Sequence, residues 1–360
     1  MKAFRIAAHG GPEALEWTEL PEPAAGPGEV RVRVRACGVN HLDLWVRNGV
    51  PGHRFPLPLV PGSEVAGTVD ALGAGVDDLA IGEPVLLGPG VACGHCLRCR
   101  SGQDHLCADY GLLGEHRDGG YAELVSVPRR NVFPIPRGLS FAEAAAVPLV
   151  FLTAWHMLAD RAELAAHEDV LLHAAGSGVT TAGIQIARLL GAGRILVTSS
   201  SDEKLARARA LGATHGLRSD AGDFAREARA ATGGRGVDVV FDHVGGELLE
   251  RSFKCLARGG RIVTCGATAG AEARVPLRAV FFKNLSLLGS TMGSLGELER
   301  LLPWFETGAL APVVADVLPL ERAGAAQERL AGRGVFGKLV LDAGRAHEVP
   351  RPKEVSDGSP

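Results

Sequence analysis

Four cysteines at positions 93, 96, 99 and 107, in the run CGHCLRCRSGQDHLC, carry the most specific chemical pattern in the chain. Thiolates at such short spacings are metal ligands. Four of them complete a tetrahedron and leave no position for water or substrate. The spacing therefore predicts one metal ion at Cys93, Cys96, Cys99 and Cys107, shaping a loop rather than reacting. The remaining cysteines, Cys37, Cys255 and Cys265, are scattered. The opening MKAFRIAAHGGPEALEW lacks the apolar core of a signal peptide, so the expected location is cytoplasmic. A reducing compartment favours ligand thiols over disulfides.

A second chemical signal lies at HAAGSGVTTAG, residues 173 to 183, between the apolar run DVLLHAAG and the helical run TTAGIQIARLLGA. Turns between strand and helix bind pyrophosphate through backbone N–H groups at the helix start. The three positions of the glycine fingerprint fall on Ala175, Ser177 and Thr180, while Gly176 and Gly178 supply the conformational freedom. The segment Ala175, Gly176, Ser177, Gly178, Val179, Thr180 is thus the candidate phosphate cradle. An NAD site places a carboxylate some twenty residues further on. Here that place is Ser199, followed by Ser200, Ser201 and Lys204. Hydroxyls and a cation accept a 2′-phosphate that a carboxylate would repel, so the expected cofactor is NADP(H), with Arg218 a further candidate for the phosphate. His243, Val244 and the turn Cys265–Gly266–Ala267 close later apolar runs, where such folds bind cofactors.

The elements that must position these groups divide the chain. Residues 1–137 alternate short β-like runs with Gly/Pro turns; EVRVRVRACGV (29 to 39) puts valines on one side and arginines on the other. From 138 to 296 apolar strands alternate with amphipathic helices, the pattern of a parallel sheet covered on both faces. LSFAEAAAVPLVFLTAWHMLAD opens that half as a helical run broken by Pro148, and GELLERSFKCLARGG reads as one of its helices. Residues 297–342 return to the style of the first part, and 343–360 form a polar, aperiodic tail, expected to be disordered. With 38 basic and 41 acidic residues the net charge is −3, and no basic face or stripe argues for nucleic acid or a membrane. The fold class expected is α/β.

Together, GPEALE (11 to 16), NHLD (40 to 43), PGSEVAG (61 to 67), GGYAE (119 to 123), LTAW (152 to 155), the cysteine loop, NLSLLGS (284 to 290) and FGKLVL (336 to 341) resemble the medium-chain dehydrogenase/reductase superfamily. The resemblance implies a GroES-like β-barrel catalytic domain and a doubly wound Rossmann domain. The resemblance also implies two metals, as in the superfamily's zinc alcohol dehydrogenases: a structural zinc on four thiolates, matched one for one by Cys93, Cys96, Cys99 and Cys107, and a catalytic zinc. The positions of its first two ligands are Asn40 and Ser63 here, the third falls among Val150 to Leu152, and the proton-relaying threonine is replaced by Leu42. Glu64 alone cannot hold the ion. NxxD and PGxExxG resemble the quinone-oxidoreductase branch instead.

The resemblance implies that Asn40 bonds the nicotinamide ribose or the substrate carbonyl, that Asp43 buttresses its loop, and that Thr153 lies against the nicotinamide. His41 meets the pyrophosphate or is a surface histidine; His173 is a satisfied core residue. Proton donors or pocket walls are sought among Tyr110, His116, Trp45 and Tyr121. Without a Lewis acid, hydride addition favours quinones and enones, whose charge spreads into a phenolate or enolate. The expected function is an NADPH-dependent quinone or enone reductase acting on a small molecule, with about one zinc per chain. The alternatives are an alcohol/aldehyde dehydrogenase of the zinc type, with about two, and a non-catalytic NADP(H)-binding sensor. NLSLLGSTMG looks like the edge strand that pairs such domains into a homodimer or homotetramer.

Overall fold

The computed structural model describes residues 1–344; the remainder of the tail expected from 343 lies outside the described residues. Six parallel strands form one sheet, in the order His215–Arg218, Ile195–Ser199, Val170–Leu172, Val237–Asp242, Leu256–Thr264, Ser286–Gly289. Chain order reverses between Val170–Leu172 and Val237–Asp242, and there a doubly wound sheet opens a crevice at the carboxyl ends of its strands.

The apolar runs explain the two-sided cover. Leu172, Val197, Val239 and Phe241 pack in one buried cluster with Ala182 and Ile186 of the helix Gly178–Leu189. Leu171, Leu196, Val240 and Ile262 face the opposite cluster, with Phe224, Ala228 and Phe253. Alternate residues of each strand are thus buried on opposite faces, as a parallel sheet between helices requires.

The other sheet is built around Glu29–Gly38. That strand pairs with Glu64–Leu72 along one edge, and with Leu124–Pro128 and Lys338–Asp342 along the other. Val30, Val32 and Val34 are buried, while Arg31 and Arg33 both reach Asp70, at 2.6 and 2.7 Å. The alternation read from the sequence therefore has its apolar side in the core. Val314–Pro319 joins beyond Lys338–Asp342, so the last described strands return to this sheet.

One helical run is broken where expected and another is shorter than expected. In the run from 138, a capping box between Ser140 and Glu143 starts Phe141–Ala144, Pro148 interrupts, and the helix resumes as Val150–Trp155 before a π-turn at His156–Arg161. The helix expected across 246–260 stops at Ser252, because LARGG belongs to the strand Leu256–Thr264. Gly259 there adopts φ +75°, a left-handed turn that no helix interior accepts. No described helix is long and apolar enough to cross a membrane.

Candidate active site

The cysteine lobe folds into a compact sulfur cluster. Sγ–Sγ distances are 3.6 Å for Cys96–Cys99 and Cys93–Cys107, and 3.8 Å for Cys93–Cys99 and Cys96–Cys107. A zinc tetrahedron with bonds of about 2.3 Å has edges of roughly 3.8 Å, so these sulfurs stand where zinc needs them. The backbone N–H groups of Gly94, Cys96 and Asp109 donate to Cys99, Cys93 and Cys107 at 3.3 to 3.4 Å, as thiolates require. The donor set fits a closed structural zinc.

A cleft of about 620 Å³ opens at the reversal point of the parallel sheet. It is lined by Gly176, Ser177, Gly178 and Val179 from the glycine turn, by Ser199, Ser200 and Lys204 past the next strand, and by His243, Val244, Cys265 and Gly266 from the later strands. Asn40, His41 and Thr153 line it from the other side, so most of the expected residues share one cavity. The glycines are needed for close approach. A Cβ on Gly176 would come within 2.8 Å of the Lys204 side chain, and one on Gly178 within 2.7 Å of Lys338. Around Ser199, Ser200, Lys204 and Ser219 no carboxylate lines the cleft; its single acidic lining residue among those described is Glu115. Lys204 Nζ donates to the Arg333 carbonyl at 2.5 Å, and Arg333 also lines the cavity. The crevice, the helix start and the cations fit a nicotinamide dinucleotide.

Between the two halves lies a buried polar centre. Lys338 Nζ sits 2.7 Å from Glu64 Oε2, and donates to the Val39 carbonyl at 2.7 Å and to Asn40 Oδ1 at 2.5 Å. Asn40 Nδ2 donates to Glu64 Oε2 at 3.1 Å and to the Gly38 carbonyl at 3.3 Å. Glu64 Oε1 accepts from the N–H groups of Leu149 and Val150 at 2.8 and 3.1 Å. Ser63 is turned away, its hydroxyl donating to the Leu113 carbonyl at 2.7 Å. An ammonium, rather than a ligand set, thus neutralises Glu64, and the residues here do not fit a catalytic zinc.

Several expected residues stand outside the cleft lining. Asp43 is fully buried; its carboxylate accepts from the Asn40 N–H at 2.8 Å and the Tyr121 hydroxyl at 2.9 Å, and burial raises its pKa to about 6. It holds the start of the helix His41–Asn48 instead of facing a ligand. Ala175 and Thr180 are buried behind the turn, and the Thr180 hydroxyl donates to the His173 carbonyl at 2.6 Å. Ala267 adjoins the lining residues Gly266 and Thr268. Arg218 is not brought into the cleft, because Asp220 and Asp202 occupy its guanidinium at 2.8 and 3.0 Å. His41 does line the cleft, but burial holds its pKa down to about 4, so it is a neutral imidazole at pH 7 and not a cation.

His173 is a core residue, bonded to Thr198 at 2.9 Å and Ser252 at 2.8 Å. Among Tyr110, His116, Trp45 and Tyr121, only Trp45 lines the cavity; Tyr121 is buried against Asp43 and the Tyr110 hydroxyl is buried without a partner. Sequence reasoning missed Lys338, Arg333, Ser219 and Glu115. Only Lys338 left a trace there, as the cation of FGKLVL, and nothing local tied it to Asn40.

Comparison with known proteins follows the same division. Residues 26–137 match the family model of the alcohol dehydrogenase GroES-like domain, and residues 178–307 that of the zinc-binding dehydrogenase. The quinone oxidoreductase of Rattus norvegicus is 30% identical over 95% of this chain and 97% of its own. A 2-haloacrylate reductase from Burkholderia sp is 31% identical over 93% of this chain and 97% of its own. A crystal structure of an NAD-dependent alcohol dehydrogenase superposes with a TM-score of 0.92 at 50% identity, covering 96% of this chain and 100% of that one.

Proposed function

Because this chain belongs to the medium-chain dehydrogenase/reductase superfamily and is an oxidoreductase of it, we propose that it reduces quinones or α,β-unsaturated carbonyl compounds with NADPH, without a catalytic zinc. The observation that carries this reading is the Lys338–Glu64–Asn40 centre. Both N–H groups of the Asn40 amide are already given away, to Glu64 and to Gly38. Only a lone pair of its Oδ1 remains, which can accept from a hydroxyl such as one of the nicotinamide ribose. Asn40 therefore holds the cofactor and offers nothing to a substrate carbonyl. The three short contacts of Lys338 also use up its donors. An alkoxide forming beside this centre would have no partner, whereas an enolate or phenolate spreads its charge and needs none.

When bound, the dihydronicotinamide supplies a hydride. Held along the turn at Gly176, Ser177 and Gly178 and beside Asn40, it would supply that hydride to the β-carbon of an enone or to a quinone, the proton being drawn from water. The protein's share is orientation in a cleft walled by Thr153, Trp45 and Leu112. Ser199, Ser200, Ser219 and Lys204 support a preference for the 2′-phosphate, and the four thiols support one structural zinc. The edge strand Ser286–Gly289 and the exposed Leu277, Phe281 and Phe282 support pairing into a homodimer or homotetramer.

The likeness to an NAD-dependent alcohol dehydrogenase favours a second reading, oxidation of alcohols with NAD. A steady-state screen of quinones, enones, aldehydes, ketones and alcohols, each with both cofactors, separates the two. Turnover confined to conjugated acceptors with NADPH is expected. Chelator-sensitive oxidation of simple alcohols would overturn the proposal, and absence of all turnover would favour a sensor.

A further inference from the structure

We propose that His53, Glu115 and His116 form a metal site at the edge of the cleft, distinct from the cysteine lobe and suited to a divalent transition ion such as Zn²⁺ or Co²⁺. His53 follows the helix His41–Asn48, and Glu115 and His116 follow the short strand Gly111–Leu112. One ligand atom from each of the three lies within 4.8 Å of the others. His53 Nε2 stands 3.3 Å from Glu115 Oε1, and His116 Nδ1 stands 3.8 Å from Glu115 Oε2. Neither contact is a hydrogen bond, the second being too long for one, and the Glu115 carboxylate accepts none among the described residues.

The distances suit an ion. With metal–N and metal–O bonds of about 2.0–2.2 Å, a tetrahedral edge is roughly 3.4 Å. Two histidines and a glutamate leave a fourth position open, the ligand set of zinc sites that bind water or substrate. The side chains of His53 and His116 are 39% exposed and that of Glu115 is 13% exposed, so the ion has an entry while its anionic ligand is largely withdrawn from water. The Phe55 ring, 4.4 Å from that of His53, steadies the imidazole. The Leu112 N–H reaches His116 Nδ1 at 3.3 Å, a long bond that an ion on this nitrogen would displace.

Glu115 lines the cleft, so a bound ion would tie the 50–55 turn to the 112–117 turn beside the cavity. The site stands independently of the proposed reaction. It is tested on the full-length protein carrying its lobe zinc, by titration with Co²⁺. One further equivalent is expected, with weak d–d bands and no sulfur-to-cobalt charge transfer. Outer-shell changes alone cost 10–100-fold in affinity, so His53→Ala and His116→Ala should each weaken this equivalent by at least about 10-fold while the lobe keeps its zinc. No further equivalent, or one unaffected by His53→Ala, His116→Ala and Glu115→Gln, overturns the site. An equivalent lost only in Glu64→Gln would sit beside Asn40, overturning this site and the zinc-free reaction centre together.

Discussion

Replacing Lys338 with Met removes the cation that neutralises Glu64 while keeping an unbranched side chain of similar length. Both groups are withdrawn from water, at 5% and 0% side-chain exposure and 2.7 Å apart. After the change Glu64 keeps the N–H groups of Leu149 and Val150 and the Asn40 amide, but no opposite charge. Breaking a buried pair on one side costs about 3–5 kcal/mol, since the remaining charge stays desolvated. The carbonyl of Val39 and Oδ1 of Asn40 each also lose a donor. Removing both charges, as Lys338→Met with Glu64→Gln, should recover most of that loss, because the penalty belongs to the uncompensated carboxylate. The assay is a double-mutant cycle read by urea unfolding at pH 7, with the coupling energy as the result. Coupling of several kcal/mol is expected. A Lys338→Met loss below about 1 kcal/mol would show that another cation neutralises Glu64, and the zinc-free centre would fall with it.

Three further outcomes follow from the same geometry. Lys204→Glu should lower kcat/KM for NADPH by roughly 10–100-fold and leave NADH nearly unchanged, since a charge-assisted bond is worth about 1.5–3 kcal/mol; equal losses for both cofactors would refute a 2′-phosphate contact. Burial holds His41, His173 and His243 down to about 4, below the ordinary 6.5, so their contribution to stability is complete above 6.5 and lost as pH falls toward 4. At pH 5 this is on the order of 2 kcal/mol per ring, while Asp43, raised to about 6, regains about 1 kcal/mol, so the urea midpoint should drop between pH 7 and pH 5. Cys96→Ser should release the lobe zinc and expose residues 93–107 to proteolysis, whereas Cys37→Ala should leave the zinc content unchanged.

Local pattern carried much of this site into view. The cysteine spacing, the glycine turn and the alternation of 29–39 each depend on neighbours in sequence, and each has a short-range physical reason. Asn40 and Ser63 stood out as weak ligands, but what replaces a metal did not. Lys338 reaches Asn40 only because the strand Lys338–Asp342 pairs antiparallel with Glu29–Gly38, putting Val340 opposite Gly38. A lysine after a glycine reads locally as a solvated charge, and its burial is a property of that register. Arg218 failed in the opposite sense: its place at a strand end suited a phosphate, and two aspartates take it instead. Glu115 and His53 are brought together by loops whose paths no periodicity encodes.

The bond from Lys338 to Val39 joins residues 299 apart in the chain. At about 5–20 residues per second, a ribosome needs roughly 15–60 s to make that interval. Throughout synthesis Ala36–Gly38 presents an open edge, and Glu64 is a carboxylate awaiting its counterion. Burying it early would be costly, so the amino-terminal half has good reason to stay hydrated at this spot until the last strand arrives. The lysine thus makes the reaction chamber one of the final parts of the molecule to mature.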